Sequence, residues 1–76
     1  MITLKLYGLI RLESGIKEVS LNASTVKAVL THLENQGIPK NELKGCVILI
    51  NGHPANQRSK LTDGDVVQLM SPVAGG

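Results

Sequence analysis

The chain ends in two glycines, Gly75 and Gly76, and this pair is the feature of the sequence with the clearest chemical potential. Glycine has no Cβ, so the pair can pass through a channel too narrow for other residues and leave the terminal carboxylate unshielded. Two glycines at average abundance would close a chain by chance about once in 200 sequences. The pair therefore predicts a flexible tail whose Gly76 carboxylate reacts, and the alternative is a terminus without a role.

The other side chains that could act as nucleophiles or ligands have simpler explanations. Cys46 opens an apolar stretch, which favours a core thiol over a persulfide acceptor. His32 and His53 have no companion cluster with metal-ligand spacing. Asp63 and Asp65 could bind a cation, but turn chemistry accounts for both. We therefore expect no metal site, and a domain of this length leaves little room for a catalytic cavity.

Composition argues against several classes of protein. A single cysteine cannot form an intrachain disulfide, and the chain has one Tyr and neither Trp nor Phe, so it lacks surfaces for base stacking. The net charge of +2 comes from scattered residues and is too weak for a phosphate-tracking surface. The alternating N-terminus is unlike a secretory signal or a membrane span. We expect a cytoplasmic protein with neither nucleic acid nor a membrane as partner.

The first half of the sequence predicts two strands and a helix. Apolar residues alternate with polar ones over residues 2–7, and residues 17–21 give a second strand, antiparallel to the first across a turn around 13–15. Ser24 is the predicted N-cap of a helix that ends near Gly37 and Pro39. The apolar stripe of this helix recurs at helical spacing, at Val26, Val29, Leu30 and Leu33.

The second half predicts two more strands. Residues 40–44 form a polar connector with room for one helical turn, and residues 46–50 form an apolar interior strand. Asn51-Gly52 predicts a hairpin turn, and residues 62–65 predict a second tight turn before a strand over 66–70. The order predicts one domain over residues 1–76 with an α+β fold. We expect a β-grasp roll, in which one main helix packs on one face of a mixed sheet.

Three segments resemble the MoaD/ThiS family of ubiquitin-like sulfur carriers. The C-terminal stretch 61–76 (LTDGDVVQLMSPVAGG) is the most specific, and the others are 4–11 (LKLYGLIR) and 24–30 (STVKAVL). Molybdopterin-synthase small subunits usually have aromatic residues and a second proline where this chain has Leu69, Met70 and Ser71. The ending would suit a ThiS-type carrier almost as well.

The resemblance implies that this chain is a carrier substrate rather than an enzyme. An adenylating enzyme of the ubiquitin-activating type (MoeB- or ThiF-like), using ATP and Mg²⁺, would activate the Gly76 carboxylate for conversion to a thiocarboxylate. The chain itself would bind no cofactor. Gly75 and Gly76 would enter the partner, and a collar of Met70, Pro72, Val73 and Ala74 would surround them. Leu9, Ile10 and Leu12 fit either an extension of this docking surface or ordinary core.

Three functions remain open at this point. The favoured one is sulfur transfer to a molybdenum or tungsten pterin cofactor, with a MoaE-like large subunit as acceptor. The second is sulfur transfer to thiazole synthase in thiamine synthesis. The third is a ubiquitin-like protein modifier, in which Gly76 forms an isopeptide bond with a lysine of a target.

Overall fold

The buried residues of the first strand alternate, and those of the main helix recur at helical spacing. Together they form one core between the sheet and the helices. The structure, a computed structural model, describes residues 1–71. In the first strand, Ile2, Leu4 and Leu6 are buried, and the residues between them are half-buried. The elements in chain order are β1 (Ile2–Tyr7), α1 (Leu9–Ser14), β2 (Glu18–Leu21), α2 (Val26–Asn35), α3 (Lys40–Lys44), β3 (Val47–Ile50), β4 (His53–Pro54) and β5 (Val66–Met70).

The sheet is mixed, with the order β2-β1-β5-β3-β4. Strand β1 pairs antiparallel with β2 and parallel with β5, and β3 pairs antiparallel with both β5 and β4. The strand latest in the sequence therefore lies at the centre, beside the first. The predicted α+β arrangement is confirmed, with β3 as an interior strand.

The four apolar residues of the α2 stripe are all buried, as the sequence predicted. They pack against inward-facing residues of the sheet, so one face of the sheet is covered and the other is open. The buried core consists of Ile2, Leu4, Leu6, Ile10, Leu21, Val26, Val29, Leu30, Leu33, Ile38, Leu43, Leu61, Val67 and Leu69.

The structure corrects the prediction for the start of α2. Thr25, not Ser24, is the N-cap, because its side-chain oxygen accepts a hydrogen bond from the Ala28 N–H at 3.1 Å. Ser24 instead uses its backbone carbonyl, which accepts from the Leu61 N–H at 2.8 Å. Both residues are good caps by type, and the contact with the segment near Leu61 determines which of them occupies the position.

Two elements were absent from the sequence prediction. The link between β1 and β2, predicted as a turn, contains helix α1, and the two-residue strand β4 follows the hairpin turn. That turn is as predicted, since Asn51 and Gly52 have φ values of 51° and 84°. The connector over 40–44 does form a short helix, α3.

Candidate functional site

Strand β5 brings the chain to the point where the predicted tail begins. Its last residue, Met70, is half-buried and pairs with Tyr7 of β1 on one side and Val47 of β3 on the other. The next residue, Ser71, continues this pairing, because its N–H donates to the Tyr7 carbonyl at 3.2 Å. We call this region, Tyr7, Gly8, Met70 and Ser71, the root of the tail.

A glycine allows the chain to turn sharply at the root. Gly8 has φ 77° and ψ −148°, a backbone conformation that residues with a side chain rarely adopt. A Cβ on Gly8 would lie 3.4 Å from the Cβ of Ser71. The turn therefore directs the chain from β1 into α1 while leaving room for Ser71 alongside.

Ser71 also makes a side-chain contact with α1. Its Oγ accepts a hydrogen bond from the Ile10 N–H at 2.7 Å. This contact joins residues that are 61 positions apart in the sequence. The root is thus fixed both to the sheet and to the helix that follows β1.

Apolar side chains are exposed around the root. Directly paired strand residues project on the same side of a sheet, so Tyr7, Met70 and Val47 form a row across its open face. Val47 is 51% exposed, and Leu9 and Leu12 on α1 are 46% and 77% exposed. Ile10, in contrast, belongs to the core. Of the three residues that fitted either a docking surface or the core, Ile10 is therefore a core residue, whereas Leu9 and Leu12 lie on the surface.

The carboxyl groups of Glu13 on α1 and Glu42 on α3 lie close together. A hydrogen bond between the side chains of Glu42 and Glu13 raises the pKa of Glu42, with burial and the charge of Glu13 acting in the same direction. Oε2 of Glu42 is enclosed and has no donor within residues 1–71. The carboxyl pair can form its hydrogen bond only when one member is protonated, which reconciles these two observations.

Cys46 lies between this pair and the root. Burial raises the pKa of the Cys46 thiol, and Glu42 adds to this, while a hydrogen bond with the Ser71 side chain acts against it. The Sγ donates to the Glu42 carbonyl at 3.2 Å and packs against the core. A protonated, half-buried thiol is a poor nucleophile, which supports the interpretation of Cys46 as a packing residue.

The remaining candidates from the sequence serve the turns. Asp65 accepts hydrogen bonds from the Thr62 N–H at 2.8 Å and the Asn51 side-chain amide at 3.0 Å, while Asp63 pairs with the N-terminal ammonium of Met1. His53 lies exposed in β4. Within residues 1–71, no three His, Cys, Asp or Glu side chains are grouped so as to hold a metal ion.

Most of the predicted site lies outside the part of the chain that the structure describes. Of the predicted partner-binding residues, Met70 is at the root, whereas Pro72, Val73 and Ala74 lie outside the described residues. The same holds for Gly75 and Gly76, and for the expected flexibility of the tail. Their predicted roles stay predictions.

A basic cleft between α2 and α3 was not predicted from the sequence. It measures about 390 Å³, with Leu30 and Leu43 among its lining residues. The lysines at positions 27, 40 and 44 and a single glutamate, Glu34, give it a net charge of +2, equal to that of the whole chain. Helical spacing places the lining residues of α2 on one side of that helix, and it does the same for α3. It does not show that these two sides face each other.

No helix within residues 1–71 is long and apolar enough to cross a membrane. A comparison with curated protein sequences found no match.

Solved structures are similar over nearly the whole chain. Small archaeal modifier protein 1 from Haloferax volcanii matches with a TM-score of 0.84 at 22% identity, covering 99% of this chain and 98% of its own. The same protein from Methanosarcina acetivorans gives 0.80 at 26% identity, with coverage of 99% and 95%. A chain from the complex of subunits 1 and 2 of molybdopterin-converting factor from Helicobacter pylori gives 0.74 at 29% identity, with coverage of 99% and 97%.

These neighbours share the mixed sheet and helices described above, so the fold is the ubiquitin-like β-grasp. A family model described as the ThiS family matches residues 4–76, which includes both the root and the two final glycines. The chain therefore belongs to the ThiS family of ubiquitin-like sulfur carriers.

Proposed function

We propose that this protein carries sulfur on its C-terminal carboxylate. The family match carries this proposal, because it extends to Gly76 and so includes the group that would react. An activating partner of the MoeB or ThiF type would supply the ATP and Mg²⁺, and the chain itself would bind neither. We place this reaction in the cytoplasm.

The proposed chemistry has two substitution steps. A carboxylate oxygen of Gly76 attacks the α-phosphorus of ATP, which forms the acyl-adenylate and releases pyrophosphate. Hydrosulfide, supplied by the sulfur donor, then attacks the acyl carbon, and AMP leaves with the bonding electron pair. Loss of the sulfur-bound proton leaves Gly76 as a thiocarboxylate. The chain is the substrate in both steps, and its role is that of a carrier or the small subunit of a synthase-like complex.

Sulfur transfer in molybdenum or tungsten pterin cofactor synthesis is the favoured pathway. It is supported by the 29% identity to a chain of molybdopterin-converting factor, which was solved as a complex of its two subunits. The corresponding acceptor here would be a MoaE-like large subunit. The alternative of thiazole synthesis in the thiamine pathway is supported by the family to which the chain belongs.

A role as a protein modifier is the other candidate. The observation that favours it is the 26% identity to small archaeal modifier protein 1 from M. acetivorans. In this role Gly76 would form an isopeptide bond with a lysine of another protein, after the same adenylation.

The collar would dock on the activating partner. We assign docking to Met70, Pro72, Val73 and Ala74, and the exposed row at the root supports this assignment. Apolar side chains beside the start of a tail have few neighbours in the same chain to cover them, so a partner can bury them.

Mass spectrometry tests the central step. Incubation with the activating enzyme, ATP and a sulfur donor should replace one oxygen by sulfur, and the change should map to the C-terminal peptide. Deletion of Gly76 or the change Gly75→Val should abolish the product without altering the circular dichroism spectrum, because the variants leave the core intact.

The change Cys46→Ser separates carboxyl chemistry from thiol chemistry. This variant should be converted like the wild type, and loss of conversion with the tail intact would transfer the role to the thiol. A ladder of conjugates in cell extract that disappears without Gly76 would favour the modifier. With purified acceptors, sulfur transfer to the MoaE-like subunit or to thiazole synthase would distinguish the two pathways.

A further inference from the structure

The basic cleft between α2 and α3 has walls that the fold holds in place. Two of its lining residues, Leu30 of α2 and Leu43 of α3, are buried members of the core. The two helices are joined by a short link, residues 36–39. At the start of α2, the Lys27 N–H donates to the Gln57 carbonyl at 3.1 Å, which fixes Gln57 at the side of the cleft. The cleft is therefore preformed, and a ligand does not have to order it.

The cationic groups of the cleft have no anionic partner in the part of the chain that the structure describes. Lys27, Lys40 and Lys44 are exposed, and within residues 1–71 no carboxylate lies within 4.0 Å of their ammonium groups. This includes the carboxylate of Glu34, which lines the same cleft. The lysines therefore concentrate positive charge that a bound anion would neutralise. An ammonium group only donates hydrogen bonds, so the ligand must supply acceptors such as carboxylate oxygens.

The lining favours a carboxylate-bearing peptide over a phosphate. Phosphate sites commonly use arginine side chains or the free N–H groups at the start of a helix. None of the described residues that line the cleft is an arginine. The first N–H groups of α2 are already used, because Val26 donates to the Ser59 carbonyl at 3.0 Å and Lys27 to a carbonyl of the same segment. Leu30 and Leu43 offer instead a surface against which an apolar side chain can pack.

We propose that the cleft between α2 and α3 is a docking site for an acidic peptide segment of a partner protein, in which carboxylates flank an apolar side chain. The carboxylates contact the three lysines, and the apolar side chain lies against Leu30 and Leu43. A cleft of about 390 Å³ takes a few side chains of an extended segment. Its described lining residues are distinct from those of the root, so this docking goes beyond the proposed function and does not use Gly76.

NMR titration with a synthetic peptide tests the site. The probe is acetyl-Asp-Glu-Leu-Glu-Asp-amide, and the control is the uncharged acetyl-Asn-Gln-Leu-Gln-Asn-amide. With isotopically labelled protein, the acidic peptide should shift the amide signals of Thr31, Leu43 and Lys44 until they saturate, because these residues line the cleft. The uncharged peptide and inorganic phosphate should have little effect. Equal shifts with either of these two, or shifts confined to the root, would overturn the proposal.

Single-charge variants separate the cleft from the net charge of the chain. Lys40→Gln and Lys44→Gln should each weaken binding of the acidic peptide about threefold, because each removes one exposed attraction. Glu34→Gln should tighten it about twofold, because it removes the one negative charge of the lining. Lys17→Gln is the matched control, since Lys17 is exposed outside the cleft and carries the same charge, and this variant should leave the affinity unchanged.

Two results with these variants would contradict a site in the cleft. Equal weakening by Lys17→Gln and Lys44→Gln would mean that the peptide responds to the overall charge, and unchanged affinity in every lysine variant would mean that it binds elsewhere. The substituted lysines are exposed and Glu34 is half-buried, so the variants should fold, which circular dichroism checks. Both measurements use only the purified chain, so they stand if Gly76 carries no sulfur.

Discussion

Glu42 and Asp65 carry carboxyl groups whose pKa values the fold shifts in opposite directions. The Thr62 N–H, followed by the Asn51 amide, binds the ionised form of Asp65 and lowers its pKa. The stabilisation from Asp65 is therefore present above the ordinary aspartate range and is lost as the pH falls through the lowered pKa. For Glu42, the hydrogen bond with Glu13 favours the protonated form and raises the pKa, so its stabilisation is present in acid and is lost as the pH rises.

Glu42→Gln should therefore raise the melting temperature at pH 7. The wild-type hydrogen bond with Glu13 needs a proton that Glu42 loses as the pH rises through its raised pKa, whereas the amide introduced by the substitution would donate a hydrogen bond to Glu13 without that proton. The gain should shrink as the pH falls through the raised pKa of Glu42, because the protonated wild-type side chain then makes its own hydrogen bond with Glu13. Thermal unfolding followed by circular dichroism between pH 3 and pH 8 would measure both effects.

The double variant Glu13→Gln/Glu42→Gln is the control for this pair. Groups that interact directly have non-additive effects, so the double variant should gain less than the sum of the two single variants. Additive gains, or a melting temperature at pH 7 that does not change in Glu42→Gln, would contradict a direct interaction.

At the level of elements, the spacing of apolar residues predicted which side chains of β1 and α2 are buried. The α2 stripe and the alternation of β1 are visible because a helix or strand repeats its burial every few residues. Helix α1 has no such signal. It has six residues, buries only Ile10 and receives its cap from Ser71, so the reason for its stability lies 61 positions away.

The candidate site likewise has one part with a local sequence signal, the tail, and one part without it, the root. The tail could be proposed from the sequence because two adjacent glycines form a local motif, and its role stays a prediction. The root could not be proposed in this way, because the contact between Ser71 and Ile10 exists only once β5 has paired with β1. The choice of Thr25 over Ser24 as the cap of α2 likewise depends on the Leu61 segment.

A pair of neighbouring substitutions tests the assignment of that cap. Thr25→Ala should lower the free energy of unfolding by about 1 kcal/mol, because the Ala28 N–H loses its acceptor. Ser24→Ala should change it by less than about 0.5 kcal/mol, since the contact that Ser24 makes uses its backbone. Urea denaturation measures both, and equal losses would mean that the two hydroxyls share the capping role.

At the scale of the whole molecule, the two faces of the sheet have different surroundings. Helix α2 covers one face and builds the core, while the other face leaves the row of Tyr7, Met70 and Val47 exposed at the root. The basic cleft lies between α2 and α3, away from the open face. A partner that uses the tail can therefore dock on the open face without disturbing the core.

Val47→Asp should weaken binding to the activating enzyme by about 1–3 kcal/mol, the usual cost of losing an apolar interface anchor. Its side chain is half-exposed, so the variant should still fold. Ala28→Asp adds the same charge on the exposed side of α2 and should leave the affinity unchanged. Calorimetry with the purified pair measures both, and equal affinity for Val47→Asp and the wild type would place the interface elsewhere.

The parallel pairing of β1 and β5 has a practical consequence for labelling. Because both strands run in the same direction, their starts lie together and their ends lie together. Met1 is near Asp63 at the start of the two strands, and Tyr7 is near Ser71 at their end. These two ends are about 20 Å apart, which is the length of a six-residue strand. A fluorophore or affinity handle fused before Met1 would therefore emerge far from the root, and it could report on partner capture without obstructing a partner that docks there.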